Sequence, residues 1–250
     1  MAAIMGGGGE GGGAMPLEQW FFEMPVCTRW WTTATVATGI LVQCQVLTPF
    51  QLFYSFRAVW QKQQFWRLIT TFIYFGPLSL NLVFHIFFIQ RYARMLEESA
   101  ASAAHFSWML AYTAVTLLAV AQPMFNQAFL ASTLSSTLVY IWARRNPDTR
   151  LSFLGVLTFT APWLPWVLIA FNVILHGHWP KDELCGVAVG HVVYFFNDIY
   201  PSTHHGHRPL DPPQWWVSLF ERRVVPVAET DVHAAALNRD IAAPVVPDVG

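Results

Sequence analysis

Ser99 to Ala143 reads SAASAAHFSWMLAYTAVTLLAVAQPMFNQAFLASTLSSTLVYIWA, 45 consecutive residues without Asp, Glu, Lys or Arg. A bilayer crossing takes about 20 mostly apolar residues, so this stretch has room for two helical spans and a turn. The same ruler applied outward finds Trp30–Phe56 (27 charge-free residues), Leu68–Gln90 (23) and Leu151–Pro180 (30). A last gap, Leu184–Asn197, has only 14 residues, short for a span on its own. Five spans follow directly, and a sixth needs an argument from charge.

Six spans place both chain ends on one side. That side then carries Arg29, Arg91, Arg94, Arg144, Arg145, Arg150, Arg208, Arg222, Arg223 and Arg239, ten of the 14 basic residues. Arg57, Lys62, Arg67 and Lys181 fall on the other. Cytoplasmic loops are the Lys/Arg-rich ones, so the termini are expected in the cytosol. Five spans would move the C-terminal arginines across and weaken the bias. The expected fold is therefore an all-α membrane protein with spans near Trp30–Leu47, Leu68–Gln90, Phe106–Ala121, Met124–Trp142, Phe153–Leu175 and Leu184–Ile199. Pro77, Pro162 and Pro165 fall inside two of these, where neighbouring helices can satisfy freed carbonyls. The third span, at 16 residues, would reach only about 24 Å against roughly 30 Å of hydrocarbon, which predicts snorkelling or local thinning.

Composition agrees with a bilayer. The chain is 54% hydrophobic and 12% charged, about half the charge of an ordinary soluble domain. Its 12 Trp, 20 Phe and 7 Tyr suit membrane interfaces. A net charge of −1 provides no field for nucleic acid. Cys27, Cys44 and Cys185 lie too far apart for a zinc motif or a disulfide framework, and no cofactor or metal is expected. Residues 1–18, with the glycine runs at Gly6–Gly9 and Gly11–Gly13, read as a disordered tail without the basic start of a signal peptide. Residues 19–200 form the membrane domain, and 201–250 a mostly disordered tail with a short amphipathic helix near 214–222. The loop 48–67 mixes eight aromatic or leucine side chains with Arg57, Lys62 and four glutamines, and is expected to lie in the interface plane. Lys181-Asp182-Glu183-Leu184 spells a retrieval signal that is read only at a C-terminus. His204, His205 and His207 have no cysteine or carboxylate cluster beside them and read as a solvated loop.

Several polar residues fall inside the expected spans. His191 sits in the sixth, in Gly186-Val-Ala-Val-Gly190-His191, where the glycine pair permits close helix approach. The fourth span offers Ala128, Ala131, Ser132, Ser135 and Ser136 as the matching face. One reading is a Ser–His pair with His191 as base. The other is a histidine hydrogen-bonded across a helix interface, favoured because no glycine flanks the serines to open an oxyanion hole. Trp66-Arg67 is either an interface anchor or a latch for the loop. Gln43, Gln45, Asn81, His85 and Asn172 are helix–helix glue, unless Gln43, Asn81 and His85 line one polar groove with Ser132, Ser135 and Ser136.

Five blocks in order then resemble the Derlin family: Phe65-Trp66-Arg67-Leu68-Ile69-Thr70-Thr71-Phe72 with Phe75-Gly76-Pro77; Arg91-Tyr92-Ala93-Arg94-Met95-Leu96-Glu97-Glu98; Tyr140-Ile141-Trp142-Ala143-Arg144-Arg145-Asn146-Pro147; Ala161-Pro162-Trp163-Leu164-Pro165-Trp166-Val167-Leu168; and Gly186 to His191 with Tyr194-Phe195-Phe196, Asp198 and Pro201. The resemblance covers roughly Gln19 to Pro201. It implies a six-helix rhomboid-like bundle in the endoplasmic-reticulum membrane, and a pseudoprotease of ER-associated degradation. Trp66-Arg67 matches the family's Trp-Arg motif, Gly186 and Gly190 its glycine pair, and His191 its retained histidine. The rhomboid serine of Gly-x-Ser-Gly falls at about Ala131, where that motif is missing, so no catalytic residue carries over.

The resemblance also implies partners: misfolded protein substrates, a membrane ubiquitin-ligase complex and the lipid bilayer itself. Many Derlins end in a box that binds a cytosolic AAA ATPase. The stretch Asn238–Gly250 has none, so the ATPase is expected to act indirectly, as for the family's box-less fungal members. The expected function is retrotranslocation aided by a lumenal polar groove and a thinned bilayer. The alternative is an active rhomboid-type serine protease. A small-solute transporter fits less well, with no paired charges inside the spans and no inverted repeat.

Overall fold

The computed structural model describes residues 21–125, 127–153, 157–204 and 207–221. The Gly-rich head, His205 and the tail past Glu221 lie outside the described residues. The chain divides into a unit ending at Asp211 and a second beginning at Pro212. The first unit is mostly helical: α1 (Val26–Gln43), α2 (Pro49–Leu52), α3 (Phe56–Gln61), α4 (Arg67–Thr70) and α5 (Leu80–Phe88). A π-turn (Ile89–Ala93) joins α5 to α6 (Arg94–Ser99), and α7 (Ala103–Phe125) and α8 (Ala131–Arg145) follow. After an antiparallel hairpin of β1 (Arg150–Phe153) and β2 (Leu157–Thr160) come α9 (Leu164–His176) and α10 (Lys181–Tyr194), then a second π-turn (Phe195–Ile199) and α11 (Tyr200–Thr203). The second unit contains α12 (Gln214–Glu221).

Where these helices depart from the expected spans, local chemistry explains it. The expected second span loses about its first half as a continuous helix. Gly76 takes φ 116° and Pro77 follows, so the chain turns and α5 begins at Leu80 under a Ser79 cap. Pro77 is a breaker there, not a tolerated kink. The expected third span is not short: α7 has 23 residues, about 34 Å at ~1.5 Å per residue. The expected fifth span begins as the β1–β2 hairpin, with Leu151 opposite Phe159. Pro162 and Pro165 then sit in first turns, a 3₁₀ turn at Ala161–Trp163 and the start of α9, where a missing N–H costs nothing. The expected fourth span starts late, at Ala131, because the backbone of residues 127–130 is held out of the helix: Tyr54 N–H donates to the Ala128 carbonyl (2.9 Å) and Leu130 N–H to that of Thr71 (3.0 Å).

Among the described residues α7 alone is by itself long and apolar enough to cross a membrane, and Ala161–Ile174 is a shorter apolar helical stretch. Large apolar side chains are exposed while several polar ones share the interior. Trp30, Val83, Phe87, Val115, Trp163 and Ile174 are exposed, each by more than half. Thr28, Thr35, Thr71, Thr113, Thr133 and Thr137 are buried with Glu97 and Gln127. Large apolar residues, among them Phe106, Leu117, Leu138, Ile141 and Leu164, fill the rest of the interior.

One buried carboxylate ties the first helix to the third stretch of the chain. Glu97, at the end of α6, accepts the backbone N–H groups of Cys27 and Thr28 (2.8 Å each) and the Thr28 hydroxyl (2.7 Å). These are orphan donors of the α1 N-terminus, where helix dipole and charge act together. This also explains why α1 starts four residues before the charge-free stretch, at Val26. Glu97→Ala is expected to lower stability by about 2–4 kcal/mol and Glu97→Gln by less, read from denaturation in mild detergent followed by tryptophan fluorescence.

Candidate functional site: the seam between α8 and α10

The glycine pair is where two helix backbones meet. A Cβ built on Gly186 would lie 2.6 Å from the Thr133 carbonyl oxygen and 2.8 Å from Ser136 Cβ. On Gly190 it would lie 3.0 Å from Tyr140 Cδ1 and 3.2 Å from the Thr137 oxygen. The contact rises from Thr133 to Tyr140 as α10 rises from Gly186 to Gly190, so the two helices run in the same direction. Thr137 stitches the seam: its hydroxyl lies 2.9 Å from the Thr133 carbonyl and 3.0 Å from that of Gly186. Such close approach, with hydroxyls bridging backbones, is how helices associate where lipid gives no hydrophobic drive.

His191 lies at the upper end of this seam. Its Nδ1 is 2.7 Å from the Tyr140 hydroxyl, and Arg144 Nε donates to the same hydroxyl at 3.2 Å. Arg144 can only donate, so the tyrosine proton is available to Nδ1. The structure therefore brings His191 to a tyrosine. Ala131, where the rhomboid serine would fall, is the first residue of α8, nine residues before Tyr140, about 14 Å along the axis. Ser132 is one residue nearer, Ser135 is buried, and Ser136 packs against Gly186.

At the lower end a second polar chain crosses the same seam. Gln127 Nε2 donates to Asp182 Oδ1 (2.8 Å), and the Thr133 hydroxyl donates to Gln127 Oε1 (3.0 Å). Beside it, Asn172 Nδ2 donates to Glu183 Oε1 at 2.7 Å, joining α9 to α10. Asp182 precedes the apolar stretch that opens at Leu184. Burial raises its carboxyl above the ordinary aspartate value, with the His178 charge acting weakly the other way.

The Trp66-Arg67 pair is a latch. Arg67 is buried, and its guanidinium donates to the carbonyls of Phe50 and Phe53 (2.8 Å each) and to Gln64 Oε1 (2.6 Å) while lying over the Phe53 ring. Loop 48–67 is thus folded back on one cation, with α2 and α3 within it. Trp66 remains more than half exposed, as do Phe50, Phe56, Trp60 and Phe65.

The other sequence candidates are dispersed. Gln43 is exposed at the last residue of α1, and His85 packs on the Phe75 ring with centroids 4.9 Å apart. Asn81 lies in the first turn of α5, its side chain outside the described ones. No described hydrogen bond joins Gln43, His85, Ser132, Ser135 and Ser136 to one another. Tyr140, Thr137, Gln127 and Glu97 were not singled out from sequence. Tyr140 and Glu97 stood only inside two of the quoted blocks, with no role assigned, and Gln127 and Thr137 only as polar residues inside the 45-residue charge-free run.

Gly186→Ala is expected to cost about 1–3 kcal/mol by forcing α8 and α10 apart, and Gly190→Ala less, since its nearest neighbour is a side chain; thermal denaturation in detergent measures both. Asp182 gives a test in pH. Its folded carboxyl binds a proton more readily than the unfolded one, so stability falls as pH rises from about 3.9 through the raised value. Asp182→Asn, which keeps the Gln127 bond, is expected to flatten that part of the stability–pH curve without weakening the fold at neutral pH.

Residues 24–214 match the model of the Der1-like family. The chain is 36% identical to Derlin-2.1 of Zea mays over 228 residues, 86% of this chain and 91% of the relative. It is 35% identical to Derlin-2.2 of Arabidopsis thaliana over 240 residues, 91% and 98% of the two chains. A probable derlin-2 homolog of Dictyostelium discoideum is 32% identical over 222 residues, 86% and 87%. These relatives leave the expected fungal affinity resting on the tail alone. The Trp-Arg latch, the glycine seam and the intervening blocks all lie within the matched region, and the chain belongs to the Der1-like, or Derlin, family.

Proposed function

We propose that this chain is a non-catalytic, six-span component of ER-associated degradation, with both termini in the cytosol, that eases misfolded proteins back across the membrane. It does so by thinning the bilayer and offering a polar groove on the lumenal side. A membrane ubiquitin-ligase complex receives the substrate, and the pull of a cytosolic AAA ATPase reaches the chain through that complex.

The observation that carries this reading is the shortness of the helices. The uncharged helical stretches 80–90, 131–143, 164–176 and 184–197 have 11, 13, 13 and 14 residues, about 17–21 Å against roughly 30 Å of hydrocarbon. The turns that continue α5 and α10 bring in Arg91, Arg94 and Asp198, which resist burial in lipid. Thinning thus rests on four other helices and not on the third span, which is full length. A chain crossing a bilayer must desolvate its polar groups at several kcal/mol each, and a thinner barrier lowers that sum without chemistry. The groove is supported by chain direction. Gln43 ends α1, Asn81 opens α5 and Ser132 opens α8, all lumenal ends in this topology, with His85, Ser135 and Ser136 one turn or so further in. The absence of catalysis is supported by the engagement of His191 with Tyr140.

In lipid nanodiscs, the bilayer edge against the protein is expected to be several ångströms thinner than the bulk, measured by electron cryomicroscopy. Gln43→Leu with Ser132→Leu is expected to slow substrate movement in reconstituted vesicles about fivefold with the melting temperature unchanged. An unthinned edge together with undiminished movement would sink the proposal, and so would serine-dependent cleavage of substrate by the purified chain.

A further inference from the structure

Helix α12, Gln214–Glu221, stands in its own unit and has one apolar side. Its first turn is set by prolines, with the Trp216 and Val217 N–H groups both donating to the Pro213 carbonyl. At 100° per residue Trp215, Trp216, Leu219 and Phe220 share one face, and Gln214, Ser218 and Glu221 the other. Trp215 is 63% and Leu219 59% exposed, while Trp216 lies edge-on to Trp215 and packs on Phe220. Trp215 and Leu219, each more than half exposed, give this eight-residue helix an apolar edge.

Three observations identify the surface that meets this edge as lipid. The first is tether length: α11 ends at Thr203 and α12 begins at Gln214, so the ten residues between them reach at most about 35 Å. The second is charge. Arg208 precedes the helix and Arg222-Arg223 follow it directly, opposed only by Asp211 and Glu221. The third is residue type: paired Trp beside an aliphatic residue matches head-group depth, where an indole keeps its N–H wet and its rings dry.

We propose that α12 lies flat on the cytosolic leaflet with its Trp215–Leu219 face in the acyl boundary, drawn there by the net positive charge of the sequence around it, and that the leaflet is anionic. The proposal rests on the membrane topology proposed above, but not on bilayer thinning or substrate movement.

The test uses the full chain in nanodiscs of phosphatidylcholine, alone or mixed with phosphatidylserine, digested with trypsin at Arg222 and Arg223. Cleavage is expected to be about tenfold slower in the anionic discs, since each basic residue adds to surface attraction. High salt or the change Trp215→Glu with Leu219→Glu should abolish the protection. In a Cys44→Ser background, a spin label at Leu219→Cys should report lipid and one at Ser218→Cys should report water. This second comparison stands even if the glutamate variant folds poorly. Equal cleavage in the two discs, equal water access for the two labels, or protection that appears only when cytosolic protein is added would overturn the proposal. A protein without bilayer thinning would leave all of these readings unchanged, so the two proposals fail separately.

Discussion

The approach of α8 to α10 at Gly186 and Gly190 is the constraint on which the rest of the helical unit depends. A Cβ at Gly186 would stand 2.6 Å from the Thr133 carbonyl, so no other residue allows this packing without displacing a backbone. Lipid tails are as apolar as leucine, and burying aliphatic surface between helices gains little in a bilayer. What remains is dispersion between closely matched surfaces and hydrogen bonds that lipid cannot replace. The seam has both. Asp182 meets Gln127 at its lower end, Thr137 bridges to Gly186 in the middle and Tyr140 meets His191 above. Beyond that, Arg145 holds Asp198 through paired bonds, Nε to Oδ1 and Nη2 to Oδ2 at 3.0 Å each. Each level sets the height of the next.

The lower end of the seam also fixes the loop that precedes α4. Residues 127–130 stay outside the helix because their backbone is used elsewhere: the Ala128 carbonyl accepts from Tyr54 N–H and from the Thr71 hydroxyl, and Leu130 donates to Thr71. The loop is held from the other side by Arg67, whose donors satisfy the Phe50 and Phe53 carbonyls. One buried cation thereby substitutes for the strand or helix partners these carbonyls lack, while the aromatic residues around it remain outward. This explains how a loop so rich in Phe and Trp can be ordered and still present its apolar side to the surroundings. The buried charge is tolerable because three oxygen acceptors surround it.

The mostly helical character and the family were legible, because long charge-free runs and ordered motif blocks stand in the sequence itself. The run in α7 is helical as read, although the helix is seven residues longer than the expected third span, and α10 carries the glycine pair and His191 of the expected sixth. The boundaries were not legible, and each failure has a cause outside hydropathy. Gly76-Pro77 and the segment 127–130 are apolar enough to pass a span filter, yet their backbones turn or pair with other segments. Residues 150–160 pass it too, and form a hairpin, since alternation over four residues is too short to outweigh a long apolar window. In the site, the glycine pair and Trp66-Arg67 were readable because small-residue spacing and an arginine at a span edge have local meanings. Their partners were not. Glu97 caps a helix 70 residues earlier in the chain, and Tyr140 finds His191 across 51. Such pairings leave no local pattern to read.

The position of His191 bears on why a rhomboid-like bundle of this kind can lack chemistry without losing its shape. An acyl-transfer site needs a base within hydrogen-bond reach of a nucleophile and donors open around the oxyanion. Here the base candidate is level with Tyr140, and the residue level with the start of α8 on its partner helix is not a histidine but Asp182 or Glu183, drawn into structural bonds with Gln127 and Asn172. Polar groups that a protease would keep available are instead consumed in holding helices together. The same inward placement of hydroxyls, amides and carboxylates leaves the outer faces apolar and the helices short.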